Sequence, residues 1–389
     1  MRVSLRYGCN PHQKPAELVM EGETGPLEVL NGAPSFINVL DALGAWQLVR
    51  ELQRATGLAS AASFKHVSPA GAAVAGPLDD ALRRSQMLPD AELSPVANAY
   101  ARARGGDRMS AFGDAVAVSE KVDLSLARLL RREVSDLIVA PAYEPEALEL
   151  LRRKRGGRYL VLRMDPAYEP PPMESRDAFG LTLTQKRNTV PVTAALFDKV
   201  VSARQALPAE ALQTLIVATI ALKYAQSNSV CVAYQGQVIG MGAGQQSRVH
   251  CARLACDKAD KWFMQQHPRV LDMAFRPGLG RPGKTNAVDQ YLLWDQLAEA
   301  ERGVLREALL DLPEPLTPQE RAAWIAGFEG VCLSSDAFFP FRDSIDRASR
   351  SNVQYVAHPG GSLRDEEVTA AADQYGMVMV HTGLRCFLH

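Results

Sequence analysis

Apolar residues recur at a spacing of three and four from Phe36 through Val39, Leu40, Leu43 and Trp46, just behind the turn Asn31-Gly32. That spacing predicts an amphipathic helix running to about Leu52, with Ser35 as its cap. Further helices are predicted over 124–133, capped by Asp123, and over 208–224. Short apolar runs bounded by turn residues stand between them, at 137–140, 159–162, 229–234, 238–241, 355–357 and 377–380. Each has the length of a strand, so the pattern predicts a mixed α/β protein.

Three stretches interrupt this pattern. Arg152, Arg153, Lys154 and Arg155 precede Gly156-Gly157, as at a solvated helix C-terminus closed by a left-handed glycine. Pro166, Pro170, Pro171 and Pro172 make a stiff, helix-averse segment, the best linker in the chain. From about 295 to 330 the chain is charge-rich and helical, with a capping box at Thr317-Pro318-Gln319-Glu320, and reads as a helical insertion. No sequence repeat relates the two halves.

Composition narrows the class. With 389 residues, 47% hydrophobic and 22% charged, the chain can build more than one core. Lys plus Arg number 43 against 44 acids, so no global field draws it to nucleic acid or to an anionic membrane. Cys9, Cys231, Cys251, Cys256, Cys332 and Cys386 show neither a Cys-x-x-Cys pair nor a disulfide spacing. Free thiols, the lack of a signal-peptide core in the first 30 residues and apolar runs too short to span a bilayer lead to a cytoplasmic expectation.

Candidate chemistry begins at Ser63-Phe64-Lys65-His66-Val67-Ser68-Pro69-Ala70-Gly71, read as a strand-to-helix turn in which Pro69 stops the strand and Gly71 lets the backbone approach a ligand. It presents a cation and an imidazole suited to proton transfer, although a solvated strand end shows the same pair. Met241 to Arg248 is a glycine turn opening onto a helix, a place for an anion or simply a chain reversal. Arg6 beside Tyr7 could grip phosphate and stack on a base, or mark an exposed N-terminal strand. Phe338, Phe339 and Phe341, among Asp336, Arg342 and Asp343, read as core or as a cradle for a flat heterocycle. No His-x-Glu, His-Glu-x-x-His, Pro-Cys-x-x-Cys or Gly-x-Ser-x-Gly pattern occurs, which discounts metal hydrolysis, with the zinc-deaminase and zincin patterns both absent, and a serine nucleophile.

Taken together, Leu5-Arg6-Tyr7-Gly8, Leu30 to Pro34, Ser63 to Gly71, Ala99 to Met109, Gln226 to Val230, Gly242 to Arg248 and Ser334 to Asp343 resemble the AICAR transformylase part of the bifunctional purine-synthesis enzyme, particularly its eukaryotic type. The resemblance covers essentially the whole chain and begins almost at Met1, so no IMP cyclohydrolase domain or activity is expected. It implies formyl transfer from 10-formyltetrahydrofolate to the amine of AICAR, the penultimate step of IMP biosynthesis. The implied fold is two cytidine-deaminase-like subdomains lacking zinc, at 1–170 and at 171–268 with 331–389, plus a helical insertion at 269–330. A homodimer with shared active sites is implied, binding neither nucleic acid nor membrane.

By motif, His66 resembles the proton acceptor and Lys65 the transition-state stabiliser. Arg6, Tyr7, Gly113, Asp136, Asn228, Arg248, Phe338 and Arg385 match nucleotide-binding positions, and Val249, Asp343, Ser362 and Leu363 match the folate side. The resemblance calls for no zinc and leaves open a monovalent cation such as potassium. Leu137, Cys256, Gly383 and Leu388 depart from the family pattern. The alternative is a non-catalytic nucleotide-binding or regulatory relative, against which the retained Lys65 and His66 speak.

Overall fold

A computed structural model describes residues 2–20 and 25–389. A short ribbon of β1 (Arg2–Ser4) and β2 (Glu17–Val19) comes first. The chain then runs through β3 (Leu27–Asn31), α1 (Phe36–Thr56), β4 (Ser60–Lys65), β5 (Ser68–Val74), α2 (Asp80–Ser85), α3 (Pro95–Gly105), β6 (Asp114–Val118), α4 (Leu124–Arg131), β7 (Ser135–Ala140), α5 (Pro145–Arg152) and β8 (Leu160–Met164). After a hairpin of β9 (Met173–Ala178) and β10 (Leu181–Lys186) come α6 (Ala209–Lys223), β11 (Val230–Tyr234), β12 (Gln237–Gly242) and α7 (Arg248–Met264). Four helices follow: α8 (Pro268–Leu271), α9 (Arg281–Leu292), α10 (Glu299–Ala308) and α11 (Pro318–Ile325). The last stretch is β13 (Val331–Ser335), α12 (Asp343–Arg350), β14 (Val353–His358), α13 (Asp365–Gln374) and β15 (Val378–His381).

Eleven strands form one sheet in the order β15-β14-β13-β11-β12-β5-β4-β6-β7-β8-β3. Within it β5-β4-β6-β7-β8 and β12-β11-β13-β14-β15 repeat one topology, an antiparallel hairpin followed by three strands mutually parallel. The halves join where β5 and β12 pair antiparallel, Ala73 opposite Gln237. The sequence hides this repeat because it lies in strand order and direction, which different apolar side chains serve equally well.

Both faces of the sheet are covered, which is why its strands read as continuous apolar runs rather than alternating ones. Consecutive residues point to opposite faces, so Ala62 and Phe64 join α1 and α6 in one core while Ala61 joins α3 and α4 in another. Val232, Leu333 and Val356 complete a third core under α7, α12 and α13. The helices α9 and α10 close a separate small core around Tyr291, Leu305 and Leu309. Arg281 of α9 ties that layer to the first half, reaching Glu133 at 2.6 Å.

The capping expectations hold. The Ser35 hydroxyl accepts from Asn38 N–H, Asp123 from Leu126 N–H and Thr317 from Glu320 N–H. The expected strand-to-helix turn after Lys65 is instead a two-residue hairpin loop, with His66 at φ 53° and Val67 at φ 61°. Pro69 does not stop a strand; it lies inside β5 opposite Phe64, beside a register shift. Gly71 serves packing, since a Cβ there would stand 2.0 Å from the Ala103 carbonyl of α3.

Gly71→Ala should therefore lower stability by about 1–3 kcal/mol or more, the usual cost of overpacking. Gly303, in α10 with open space around it, is the opposite case. Gly303→Ala should raise stability by about 0.5–1 kcal/mol. Urea unfolding of the two variants beside the parent checks both signs.

Candidate functional site

The sheet topology carries most of the singled-out residues to one edge. Strand β4 ends at that edge, so β6 and β7, running the other way, begin there and place Gly113 and Asp136 beside Lys65. The second half is turned around at the β5/β12 junction. Its parallel strands β13, β14 and β15 therefore end at the same edge and deliver the segments after Ser335, His358 and His381.

At the first half of the edge, Lys65 Nζ donates to the Gly113 carbonyl at 3.0 Å. Gly113 has φ +77°, and a Cβ there would stand 3.0 Å from Lys65 Nζ and 3.6 Å from Asp136 Oδ2. Asp136 is paired with Arg155 at 2.5 Å. His66 is exposed in the hairpin loop. A β-branched residue in the left-handed region, as Val67 is, stores strain of order 1–3 kcal/mol. The Asp41 carboxylate of α1 holds it there by accepting Val67 N–H at 2.6 Å. Burial raises the Asp41 pKa, opposed by that bond and by the nearby His66 and Lys65. The arrangement joins a partly exposed ammonium, an exposed imidazole and two carboxylates, groups able to serve proton transfer beside a developing anion.

Arg6 and Tyr7 reach this region through the N-terminus of α1. Phe36 N–H donates to the Tyr7 carbonyl at 3.1 Å, and Arg6 Nη2 to Asn38 Oδ1 at 3.0 Å. The Arg6 guanidinium lies 5.4 Å from the Tyr7 ring centre.

The second half of the edge centres on Asp336, which is fully buried. Its Oδ2 accepts from the Ser227 hydroxyl at 2.7 Å, Ser229 N–H at 2.9 Å and the Ser229 hydroxyl at 3.0 Å. Its Oδ1 is paired with Arg248. Arg248 also donates to Asn228 Oδ1 at 2.8 Å and to the Ser229 carbonyl at 2.9 Å. The glycine turn therefore leads to an arginine turned inward, and any phosphate there would share it with Asp336. Val249 follows it, half-buried, in the first turn of α7.

Of the three phenylalanines, Phe339 belongs to the core, while Phe338 and Phe341 are exposed. Asp343 opens α12, and Leu363 is fully exposed beside Ser362. Arg385 stacks at 4.7 Å on Phe387 in the C-terminal tail. Ser227 fastens that tail, donating its N–H to the Leu388 carbonyl at 3.0 Å and accepting Leu388 N–H at 3.1 Å.

Lys65, Gly113 and Asp136 thus meet directly, as do Asn228 and Arg248, and Gln226 N–H links the groups by donating to the Ser68 hydroxyl at 3.3 Å. Ser362 and Leu363, beyond β14, stand seven strands from Asp136 on β7, roughly 30 Å at ordinary strand spacing. The departures fall in different settings: Leu137 and Cys256 are buried in the core, Gly383 has open space around it, and Leu388 uses its backbone to hold the tail.

Sequence reasoning missed Asp41, Arg155 and the central part of Asp336. Asp41 sits on a helix stripe that otherwise reads as core, and Arg155 sits in a run that reads as a solvated helix end. Only the Ser-Asn-Ser spacing near Asp336's partners carried a signal, since hydroxyls of Ser227 and Ser229 on alternate residues can converge on one acceptor.

Comparison with known proteins identifies the family. Residues 1–258 match the family described as AICARFT/IMPCHase bienzyme. The "Bifunctional purine biosynthesis protein PurH" of Magnetococcus marinus is 32% identical, over 99% of this chain and 59% of that protein. Its namesake from Roseobacter denitrificans is 30% identical, over 99% of this chain and 60% of that protein. The chain spans about three fifths of the length of these curated relatives. Similarity along the full chain, with the motif residues gathered on one edge of the sheet, establishes that it belongs to the AICARFT/IMPCHase bienzyme family.

Proposed function

We propose that these 389 residues transfer a formyl group from 10-formyltetrahydrofolate to the 5-amino group of AICAR. The observation that carries the reading is the hairpin loop that holds Lys65 against Gly113 and leaves His66 exposed at the shared edge. The amine is conjugated and a weak nucleophile, so attack is easier if its proton leaves at the same time, and in this reading His66 accepts it. As the C–N bond forms, the formyl oxygen gains negative charge that the Lys65 ammonium offsets. Collapse then breaks the bond to the folate nitrogen, which takes up a proton.

Arg6, Tyr7, Gly113, Asp136, Asn228, Arg248, Phe338 and Arg385 are assigned to the nucleotide, and Val249, Asp343, Ser362 and Leu363 to the folate. A monovalent cation is an optional part of this reading, to be sought by comparing turnover in potassium and sodium salts. The repeated strand order supports two deaminase-like subdomains, and the separate core of α9 and α10 supports an insertion near 269–330. Among the described residues no helix is long and apolar enough to cross a membrane. A cytoplasmic location is part of the proposal.

The active unit in this reading is a homodimer with composite sites. Two features support it: the wide separation of Ser362 and Leu363 from Lys65 and Asp136 along one chain's edge, and the hairpin β9–β10. Every residue of those two strands is exposed, including Met173, Leu181 and Leu183. An isolated two-stranded hairpin is marginal in water, and a second copy would cover it.

His66→Ala should lower kcat by about 10²–10⁴-fold while nucleotide affinity changes much less. Near-normal turnover by a folded variant would move the base elsewhere. Lys65→Ala and Asn228→Ala chains, each inactive alone, should regain activity when mixed and allowed to exchange subunits. Exchange without recovery would place both residues in one subunit's site. Supplied with the formylated nucleotide, the purified chain should form no IMP; enzyme-dependent ring closure would overturn the assignment to formyl transfer alone.

A further inference from the structure

Two histidines and an aspartate meet at the far end of the edge, where nothing in the proposed reaction uses them. His358 and His381 are the last residues of β14 and β15 and pair directly in register. Their rings lie 4.6 Å apart at 77°. Asp365 opens α13, and one ligating atom from each of the three lies within 4.8 Å of the others. Nε2 of both histidines is buried without a hydrogen-bond partner, which is costly for an imidazole unless something else occupies the space.

The surroundings organise these groups. Asp365 accepts Gly361 N–H at 2.7 Å and Ser362 N–H at 3.2 Å, which aims its carboxylate while leaving lone pairs free. Gly360 has φ +72°, and a Cβ there would lie 2.6 Å from His381 Nδ1, so a glycine is needed for the chain to pass over the ring.

We propose that His358, His381 and Asp365 form a site for a divalent transition-metal cation of the zinc class, clamping the 359–365 loop onto the ends of β14 and β15. Two imidazole nitrogens and one carboxylate suit Zn²⁺ or Co²⁺; calcium and magnesium demand more oxygen ligands, and cuprous copper demands sulfur. Ligands about 2.0–2.1 Å from a tetrahedral ion lie roughly 3.4 Å apart, so side-chain rotations close the present spacing. His358 Nδ1 accepts Gly360 N–H at 3.2 Å, which puts the ring proton on Nε2 in the metal-free form. Metal at Nε2 moves that proton to Nδ1 and gives up this long contact. His381 and Asp365 are only half-buried, so the ion has a path in and an open position for water. The site is unrelated to the motif-borne zinc patterns, because its three ligands come from three separate elements.

The full chain, stripped with a chelator, is titrated with Co²⁺ and followed by visible absorption, with calorimetry using Zn²⁺ in parallel. One ion per chain is expected. Asp365→Asn and His381→Asn should each weaken binding by at least about 10–100-fold, with unchanged circular dichroism. His358→Gln should do the same; if that buried change prevents folding, the two half-buried variants carry the test. Absence of binding below millimolar Co²⁺, or binding unchanged in Asp365→Asn and His381→Asn, would overturn the proposal.

Discussion

The seam between β5 and β12 is the contact on which the rest of the molecule depends, and a buried arginine holds it. Arg102 of α3 is almost wholly inaccessible and donates to the Val74 carbonyl of β5 at 2.5 Å and to the Gln235 carbonyl just before β12. Gln237 answers from the second half, its side-chain amide donating to the Arg102 carbonyl at 2.7 Å. Burial lowers the Arg102 pKa to about 10, so the guanidinium stays charged near pH 7, and dipoles of backbone carbonyls stand where a carboxylate usually would. Because the seam is antiparallel, the second half enters upside down relative to the first. The starts of one set of parallel strands and the ends of the other therefore share an edge.

The two ends of that edge handle charge differently. Around Lys65 and Asp136 the charged groups are partly exposed, and a ligand can displace their present partners at little cost. Around Asp336 the carboxylate is fully buried and saturated by two hydroxyls, a backbone N–H and Arg248. Such a group fixes the backbone of β11, the start of α7 and the C-terminal tail together, since removing any partner leaves a buried charge short of a bond. The first region keeps its charges accessible and the second locks its charges into the scaffold.

Much of the scaffold was legible locally. The helix stripe from Phe36, the Ser35, Asp123 and Thr317 caps and the apolar strand runs all follow from neighbouring residues, and the structure places elements there. The loop after Lys65 was not legible in this way. Proline and two non-glycine residues at positive φ argue against a tight hairpin, and only the Asp41 bond to Val67, with pairing on both sides of β4, settles it.

The sequence by itself determined the α/β class, the main helices and strands and the motif residues, because periodicity, capping and short motifs act over a few residues. The tertiary structure alone decided that two halves without a recognisable repeat share one strand order, and that Arg248 turns inward to Asp336. It also brought His358, Asp365 and His381 into one cluster. Those outcomes depend on strand pairing between residues far apart in the chain, and no local pattern encodes which strand end meets which.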